Sequence, residues 1–219
     1  FFYNIIHNMF NISKYKEISQ ILEKNHKDCE IVSISKNHPK ESVLEAIGYG
    51  VRIFGENRVN EAKNKFLELK ELYPNIQLHL TGPLQSNKVK LATSLFDVFH
   101  TLDREKIATE FSKQSENLKN KKIFVQVNTG DEVSKSGFKI IEIKSFIEHC
   151  QNDLRLNISG LMCIPPIDDD PNKHFEILRG LANDNNLKEL SIGMSNDYKI
   201  ALKYNPKYIR LGTVLFGKR

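Results

Sequence analysis

The sequence has few cysteines and no long segment that is wholly apolar or charged with one sign. Cys29, Cys150 and Cys163 are its three cysteines. They are far apart and odd in number, which fits neither a disulfide framework nor a zinc site. No segment approaches the length of a membrane span, and no weakly hydrophobic stretch with one-sided charge indicates disorder. We therefore expect a folded protein in the reducing cytoplasm, with no membrane partner.

The first residues also lack the features of a targeting signal. The opening FFYNIIHNMFNI is apolar, but it has no basic n-region and no small-residue cleavage site, and Asn4, His7 and Asn8 interrupt it. These absences argue against a secretory signal peptide. We expect residues 1–10 to be a disordered or non-native leader, with Met9 as an alternative start. The following stretch, ISKYKEISQILEKNH, is predicted to be an extra helix that covers the fold.

Basic residues are only slightly in excess. The sequence has 32 Lys and Arg against 27 Asp and Glu, for a net charge of +5. The two signs are interspersed. A solvated helix face is predicted for Lys63, Lys65, Glu68, Lys70 and Glu71. No basic patch is interleaved with aromatic residues, so a nucleic-acid-binding function rests on net charge alone. We expect no nucleic-acid partner.

Short β-rich runs alternate with amphipathic helical stretches along the chain. Between the runs, apolar residues recur at three- and four-residue spacings. Repeated β-α alternation of this kind is typical of a closed parallel (β/α)8 TIM barrel, with an open doubly wound sheet as the alternative. No linker or shift in composition divides the chain, so we predict one domain over residues 1–219. The predicted strands are 31–36, 51–56, 76–82, 97–103, 122–128, 156–164, 189–195 and 208–217.

Candidate site residues follow the predicted strands, because active sites of this fold lie at the C-terminal ends of the strands. Lys36 closes the first run, Asn57 follows the second and Met162 lies near the end of the sixth. Desolvation and nearby cations at such a position lower the pKa of a lysine and make it nucleophilic. In a lysine-rich chain, a solvated surface side chain is the alternative for Lys36, and a helix cap is the alternative for Asn57.

The last two strands are followed by residues suited to a phosphate. Ser195 lies in GMSND, and Arg210, Gly212 and Thr213 form RLGT. Small residues, hydroxyls and backbone donors at these two places form the usual phosphate cradle of the fold. A phosphate together with the buried Lys36 favours a pyridoxal 5′-phosphate imine. A helix cap for Ser195, strand packing for Gly212 and an ion pair for Arg210 remain as structural alternatives.

The histidines do not indicate a metal. His79, His100 and His174 lack paired metal-ligand spacing, so we expect roles in the core or on the surface and no metal site.

Eight motifs together resemble the pyridoxal phosphate homeostasis protein family, also called the YggS/PROSC family. The barrel of that family is similar to the N-terminal domain of alanine racemase. The motifs run through almost the whole chain in order, which makes the resemblance more specific than any single pattern. They are VSISKNHP, FGENRVNEA, HLTGPLQSNK, HTLDR, VNTGDEVSKSGF, GLMCIPP, IGMSNDYKIAL and IRLGTVLFG.

The resemblance implies how these residues hold pyridoxal phosphate. It implies that Lys36 carries the cofactor as an imine, and that Ser195, Gly212 and Thr213 bind its phosphate. It also implies that Arg210 approaches the pyridine nitrogen.

The same resemblance extends to the walls of the pocket. It implies that Asn57 and Met162 line the cofactor pocket. Asn128, Glu132 and Lys135 match a further family motif, whose role stays open.

The chemistry of Arg210 suggests a carrier. A guanidinium beside the pyridine nitrogen disfavours protonation there and weakens the ring as an electron sink. Alanine racemase has a second base from a C-terminal domain and a partner subunit, and this sequence ends where that domain would begin. We therefore expect a monomeric, non-catalytic protein that buffers pyridoxal phosphate or delivers it to dependent apo-enzymes. The alternative is a fold-type III racemase or decarboxylase in which Tyr204, Tyr208 or Cys163 replaces the missing base.

Overall fold

The computed structural model describes residues 9–132 and 135–218. Parallel strands close into a barrel in the order of the sequence. The strands are β1 (Glu30–Ile34), β2 (Ile53–Glu56), β3 (Gln77–Leu80), β4 (Val98–Leu102), β5 (Lys122–Gln126), β6 (Ile158–Met162), β7 (Glu189–Ser191) and β8 (Tyr208–Leu211). The helices are α1 (Ile12–Asn25), α2 (Lys40–Gly48), α3 (Val59–Leu72), α4 (Val89–Leu95), α5 (Glu105–Ser112), α6 (Ser115–Leu118), α7 (Ile143–Asn152), α8 (Pro171–Asp184), α9 (Tyr198–Ala201) and α10 (Thr213–Phe216).

The barrel closes because β1 pairs with a parallel strand on each side. Ser33 aligns with Phe54 of β2, and Ile31 aligns with Ile209 of β8. Helices connect the strands, as parallel pairing requires. The predicted (β/α)8 barrel is confirmed.

The core has two layers that follow the alternation along each strand. Ile31 points outward into the large cluster between strands and helices. The next residue, Val32, belongs to the inner cluster inside the barrel. The members of the inner cluster are Val32, Ile34, Val98, Phe124, Met162 and Tyr208.

The predicted extra helix is α1, which packs near the end of the chain. The side chain of Asn11 caps it by accepting a hydrogen bond from the Lys14 N–H at 3.0 Å. Phe10 is buried, and its ring lies 5.2 Å from that of Phe216. Phe10 of the predicted leader is therefore part of the core, while residues 1–8 lie outside the described residues.

Most predicted strands extend beyond the observed ones, and the last differs most in extent. The run predicted as a strand over 208–217 ends as β8 at Leu211, and Thr213–Phe216 is a short helix. A short apolar run does not distinguish strand from helix by its periodicity. The amphipathic stretch between the fourth and fifth predicted strands is divided into two helices, α5 and α6.

The rare residue types are placed in the core. Cys29, Cys150 and Cys163 are free and buried. Over residues 9–132 and 135–218, no group of three or more His, Cys, Asp or Glu side chains is arranged to hold a metal ion. In the same residues, no helix combines the length and the apolar character needed to cross a bilayer.

Candidate cofactor site

The main cavity of the barrel opens at the C-terminal ends of the strands. Its volume is about 410 Å³, which lies in the range of about 300–1,000 Å³ that is typical of small-molecule sites. The residues that line it are Ile34, Lys36, Asn57, Thr81, Ile164, Met194, Ser195, Asn196, Arg210, Gly212 and Thr213.

The structure brings most of the predicted site residues to this one cavity. Met162 is the exception, because its side chain is fully buried and does not line the main cavity. It belongs to the same inner cluster as Ile34, which does line the cavity. A contact between Met162 and a cofactor stays a prediction. The predicted residues that line the cavity are Lys36, Asn57, Ser195, Arg210, Gly212 and Thr213.

Lys36 lies in a tight turn directly after β1. The strand ends at Ile34, two residues before its predicted end, and Lys36 is half-buried. Ser35 still donates its N–H to the Gly55 carbonyl of β2 at 3.0 Å. Asn37 has a φ of 61°, a left-handed conformation that Asn adopts more readily than most residues. The turn therefore directs the chain away from the barrel immediately after the lysine.

Buried charges fix the residues on both sides of the candidate lysine. The Ser35 hydroxyl donates to Glu56 Oε1 at 2.7 Å, and Lys65 Nζ donates to the Ser35 carbonyl at 2.8 Å. Lys65 Nζ also donates to Glu56 Oε1 at 2.8 Å. On the other side, the Asn37 N–H donates to Glu61 Oε1 at 2.6 Å. We call Ser35, Asn37, Glu56, Glu61 and Lys65 the lysine-turn clamp.

The prediction that Lys65 lies on a solvated face was wrong. Its side chain is 7% exposed, and the Glu56 side chain that it contacts is 0% exposed. Burial raises the pKa of the Glu56 carboxyl, while the charge and hydrogen bond of Lys65 act against that increase. Lys65 points inward because this acceptor at the end of β2 is in reach, and no sequence period reveals such a partner.

Asn57 is held by the loop after β3. Its Oδ1 accepts a hydrogen bond from the Thr81 hydroxyl at 3.0 Å. It does not cap α3, because the cap residue is Arg58 and no side chain makes the capping hydrogen bond. A Cβ at Gly82 would lie 2.5 Å from the Asn57 carbonyl oxygen, so glycine is needed for this close approach.

Hydrogen-bond donors suited to a phosphate collect after β7 and β8. The Ser195 Oγ accepts a hydrogen bond from the Val214 N–H at 3.4 Å, which links the β7 loop to α10. The hydroxyls of Ser195 and Thr213 border the cavity. Within residues 9–132 and 135–218, no acceptor takes the N–H groups of Ser195 or Asn196. These open donors fit a phosphate group.

Arg210 is a buried cation that neutral oxygens hold in place. Its side chain donates from Nη1 to the Ser191 carbonyl at 2.6 Å and to the Ser191 Oγ at 2.7 Å. Its Nη2 donates to the Cys163 carbonyl at 3.0 Å. Burial lowers the pKa of Arg210, although a guanidinium stays protonated in proteins. Asp197 acts on this charge without a direct contact, and no carboxylate in the described part of the chain forms an ion pair with Arg210, which argues against the structural ion pair.

A second cavity adjoins the main one and contains part of the motif whose role the sequence left open. Its volume is about 290 Å³, and it shares Asn57, Thr81 and Ile164 with the main cavity. Asn128 and Lys135 line it.

Glu132 holds this part of the motif together. The Asn128 Nδ2 donates to the Glu132 carbonyl at 2.8 Å, and Lys135 forms an ion pair with the Glu132 carboxylate at 2.5 Å.

Sequence reasoning placed Asn196 beside Ser195 after the seventh strand without giving it a cofactor role, and it missed Thr81, Ile164 and Met194; all four line the main cavity. Their position in the sequence was the feature that could have identified them, because each lies in a loop that follows a strand.

The residues considered as a replacement base do not line the main cavity. The Tyr204 hydroxyl donates to the Asn172 carbonyl at 3.1 Å, on the outside of the barrel. Tyr208 begins β8, at the opposite end of that strand from the cavity, and is 2% exposed. Burial raises the pKa of the Cys163 thiol to about 12, so it remains protonated near neutral pH.

The fold and this cavity define a barrel of the alanine racemase N-terminal-domain class. The family model described as "Alanine racemase, N-terminal domain" matches residues 11–219. Among curated proteins, the chain is 33% identical over 227 residues to the pyridoxal phosphate homeostasis protein of Escherichia coli (strain K12), covering 99% of this chain and 97% of that protein. It is 37% identical over 201 residues to the protein of the same name from Vibrio cholerae, covering 87% and 85% of the two chains. The chain belongs to the family of pyridoxal phosphate homeostasis proteins.

Solved structures agree with this assignment. The structure of PipY from Synechococcus elongatus PCC7942 without PLP has a TM-score of 0.83 and 31% sequence identity, covering 92% of this chain and 99% of PipY. The structure of PipY with PLP bound has a TM-score of 0.80 and 29% identity, covering 93% and 100% of the chains.

Proposed function

We propose that the protein holds pyridoxal 5′-phosphate as an imine on Lys36 and takes part in intracellular homeostasis of this cofactor, by buffering or delivery, without efficient catalysis. One observation carries the proposal. Lys36, Arg210 and the phosphate-type donors around Ser195 and Thr213 border a single cavity of suitable volume. The names of the relatives and the bound ligand of PipY support the same conclusion.

The residues present fit each part of this cofactor. Bound pyridoxal phosphate supplies an aldehyde that condenses with a primary amine and releases water. Lys36 provides the amine, and Ser195 and Thr213 provide donors for the phosphate. Arg210 faces the pyridine nitrogen in this proposal, and its charge disfavours protonation there. Asn57, fixed by Thr81, forms a side wall.

The site also supports a carrier over a racemase or decarboxylase. Carbanion chemistry needs an electron sink and a base that reaches the substrate. The Arg210 cation weakens the electron sink. Tyr204, Tyr208 and Cys163 lie away from the main cavity, so none of them supplies the base.

The imine is tested by absorbance spectra of purified protein loaded with pyridoxal phosphate. We expect wild type to show a visible imine band that borohydride abolishes, and Lys36→Ala to show none. Lys40→Ala is the matched control, because Lys40 lies nearby and pairs with Glu68 on the surface. It should retain the band. A wild-type protein that binds no pyridoxal phosphate would refute the proposal.

The carrier role is tested separately by incubating loaded protein with amino acids in deuterium oxide. We expect no exchange of the Cα proton at the turnover of ordinary enzymes, of about 1 per second or more. Exchange at such rates would favour the racemase or decarboxylase alternative.

A further inference from the structure

Four polar side chains from four strands are joined inside the barrel. His79 of β3, His100 of β4 and Ser191 of β7 are each 0% exposed, and Arg210 of β8 is 5% exposed. His79 Nδ1 lies 3.0 Å from His100 Nε2, and His100 Nδ1 lies 2.6 Å from Ser191 Oγ. Ser191 Oγ is in turn 2.7 Å from Arg210 Nη1. The barrel chain, as we call these four residues, crosses the interior and ends at the wall of the main cavity.

Arg210 fixes the direction of the first hydrogen bond in the barrel chain. A guanidinium only donates, so Ser191 Oγ accepts from Arg210 and keeps one hydrogen and one lone pair for His100 Nδ1. If the serine donates to His100 Nδ1, His100 Nε2 donates to His79 Nδ1; if the serine accepts, the two histidines carry their protons on the opposite nitrogens. His79 Nε2 has no partner within the described residues. Either arrangement of protons satisfies all three contacts.

Both histidines are neutral, as either arrangement requires. Burial lowers the pKa of His79 to about 3. Burial also lowers the pKa of His100, because it disfavours the charged imidazole, and a proton on His79 or the Arg210 cation would disfavour that charge further. A protonated His100 would place a second cation close to Arg210.

Packing holds the rings of the barrel chain in this geometry. His100 stacks on Phe124, with centroids 5.2 Å apart and planes 6° apart. Tyr208 stands nearly perpendicular to His79, at 85° and 4.9 Å. The imidazoles therefore cannot turn freely to exchange their donor and acceptor atoms.

We propose that His79, His100 and Ser191 are positioning residues that aim the Arg210 guanidinium at the ring nitrogen of bound pyridoxal phosphate and thereby keep that nitrogen unprotonated. The inference rests on the proposed function and extends it to residues that do not reach the cavity. No carboxylate in the described part of the chain hydrogen-bonds to the Arg210 guanidinium, although Asp197 acts on its charge at longer range, so its direction depends on neutral acceptors. Within the described residues, the Ser191 hydroxyl is its one side-chain acceptor, and His100 Nδ1 holds that hydroxyl in place at 2.6 Å.

The test compares two variants of nearly equal shape. In His100→Asn the side-chain amide can hydrogen-bond to the Ser191 hydroxyl in place of Nδ1, whereas His100→Leu offers no hydrogen-bonding group. Each protein is loaded with pyridoxal phosphate labelled with ¹⁵N in the ring, and the ring-nitrogen chemical shift and the affinity are measured. We expect His100→Leu to move the shift toward that of a protonated ring and to bind about tenfold more weakly. His100→Asn should restore the wild-type shift.

Ser191→Ala serves as a second variant if His100→Leu does not fold, because it removes a single oxygen atom. It should move the ring-nitrogen shift in the same direction. Wild-type shifts in both His100→Leu and Ser191→Ala, or equal shifts in the Asn and Leu variants, would overturn the inference and leave the imine on Lys36 intact. Failure of wild type to bind the labelled cofactor would instead overturn the proposed function, and the inference with it.

Discussion

At the scale of single residues, the site depends on charges that the protein buries. Glu56 and Lys65 lie beneath the turn that carries Lys36, and Arg210 lies in the cavity wall. A buried ion pair contributes little net stability, but removing one partner leaves an uncompensated charge. The lysine-turn clamp therefore serves mainly to position Lys36, since it fixes the backbone on both sides of this residue.

The clamp predicts a large loss of stability on Lys65→Met. Glu56 would remain buried without its cation, which costs about 3–5 kcal/mol in the free energy of unfolding. Lys40→Met is the control, because its partner Glu68 is 67% exposed. Loss of that surface ion pair should cost about 0–1 kcal/mol. Urea denaturation measures the free energy of unfolding of both variants. Equal losses in the two would show that Lys65 does not compensate the buried charge of Glu56.

The buried histidines predict a pH dependence of stability. The pKa of His79 is about 3 in the folded protein, against about 6.5 in the unfolded chain. Between these values the unfolded chain binds more protons, so stability falls as the pH is lowered through about 6.5. Each buried, neutral histidine should lower the free energy of unfolding by about 1 kcal/mol as the pH falls from about 7 to about 5.5. In His79→Leu that loss should be smaller, and an unchanged pH dependence in urea denaturation would contradict this account.

At the scale of elements, the strands and their order followed from sequence, whereas several ends did not. Short β-rich runs identified all the strands, because burial on both faces of a parallel sheet favours such apolar runs. The prediction extended β8 through 217, where α10 instead brings Thr213 to the cavity.

The polar contacts inside the barrel could not be predicted in the same way. Six of the seven predicted cofactor-binding residues line the cavity, since their positions after strands determine where they lie. The inward direction of His79 and His100 follows from strand alternation. Ser191, however, lies 91 positions beyond its partner His100 in the sequence, and Arg210 lies 19 positions beyond Ser191. No local pattern encodes such contacts.

The loop after β3 predicts a specific effect of Gly82→Ala. The added methyl group would meet the backbone of Asn57, so overpacking should cost about 1–3 kcal/mol and weaken binding of pyridoxal phosphate by displacing Asn57. In Gly180→Ala the new methyl group has no atom within 4 Å. That helix substitution should gain about 0.5–1 kcal/mol without affecting binding. Thermal denaturation and cofactor titration would distinguish the two variants. Normal binding of pyridoxal phosphate by Gly82→Ala would show that the close approach of Gly82 to Asn57 is not needed for the site.

At the scale of the whole molecule, the segment before α1 meets the last helix beside the cofactor site. The Asn11 N–H donates to the Leu215 carbonyl at 2.7 Å, and Phe10 packs on Phe216. Because α10 begins with Thr213 at the cavity, this contact supports one side of the phosphate site. We propose that the protein acts as a monomer in the cytoplasm, which size-exclusion chromatography with light scattering and cell fractionation can test.

This contact predicts that Phe10→Ala is strongly destabilising. Phe10 is 1% exposed, and truncation of a buried Phe costs about 3–5 kcal/mol. The neighbouring Met9 is 39% exposed, so Met9→Ala should change stability by only about 0.5 kcal/mol. Urea denaturation of the two variants measures the difference. A small effect of Phe10→Ala would show that this segment is not part of the cooperative fold.

The most direct test of the central claim is to locate the bond to the cofactor. The protein is loaded with pyridoxal phosphate, reduced with borohydride, digested and mapped by mass spectrometry, with Lys40→Ala as the control. We predict that the reduced cofactor is found on the peptide containing Lys36 in wild type and in Lys40→Ala, and that it is absent from this site in Lys36→Ala. A label on another lysine, or equal labelling of many lysines, would contradict the account.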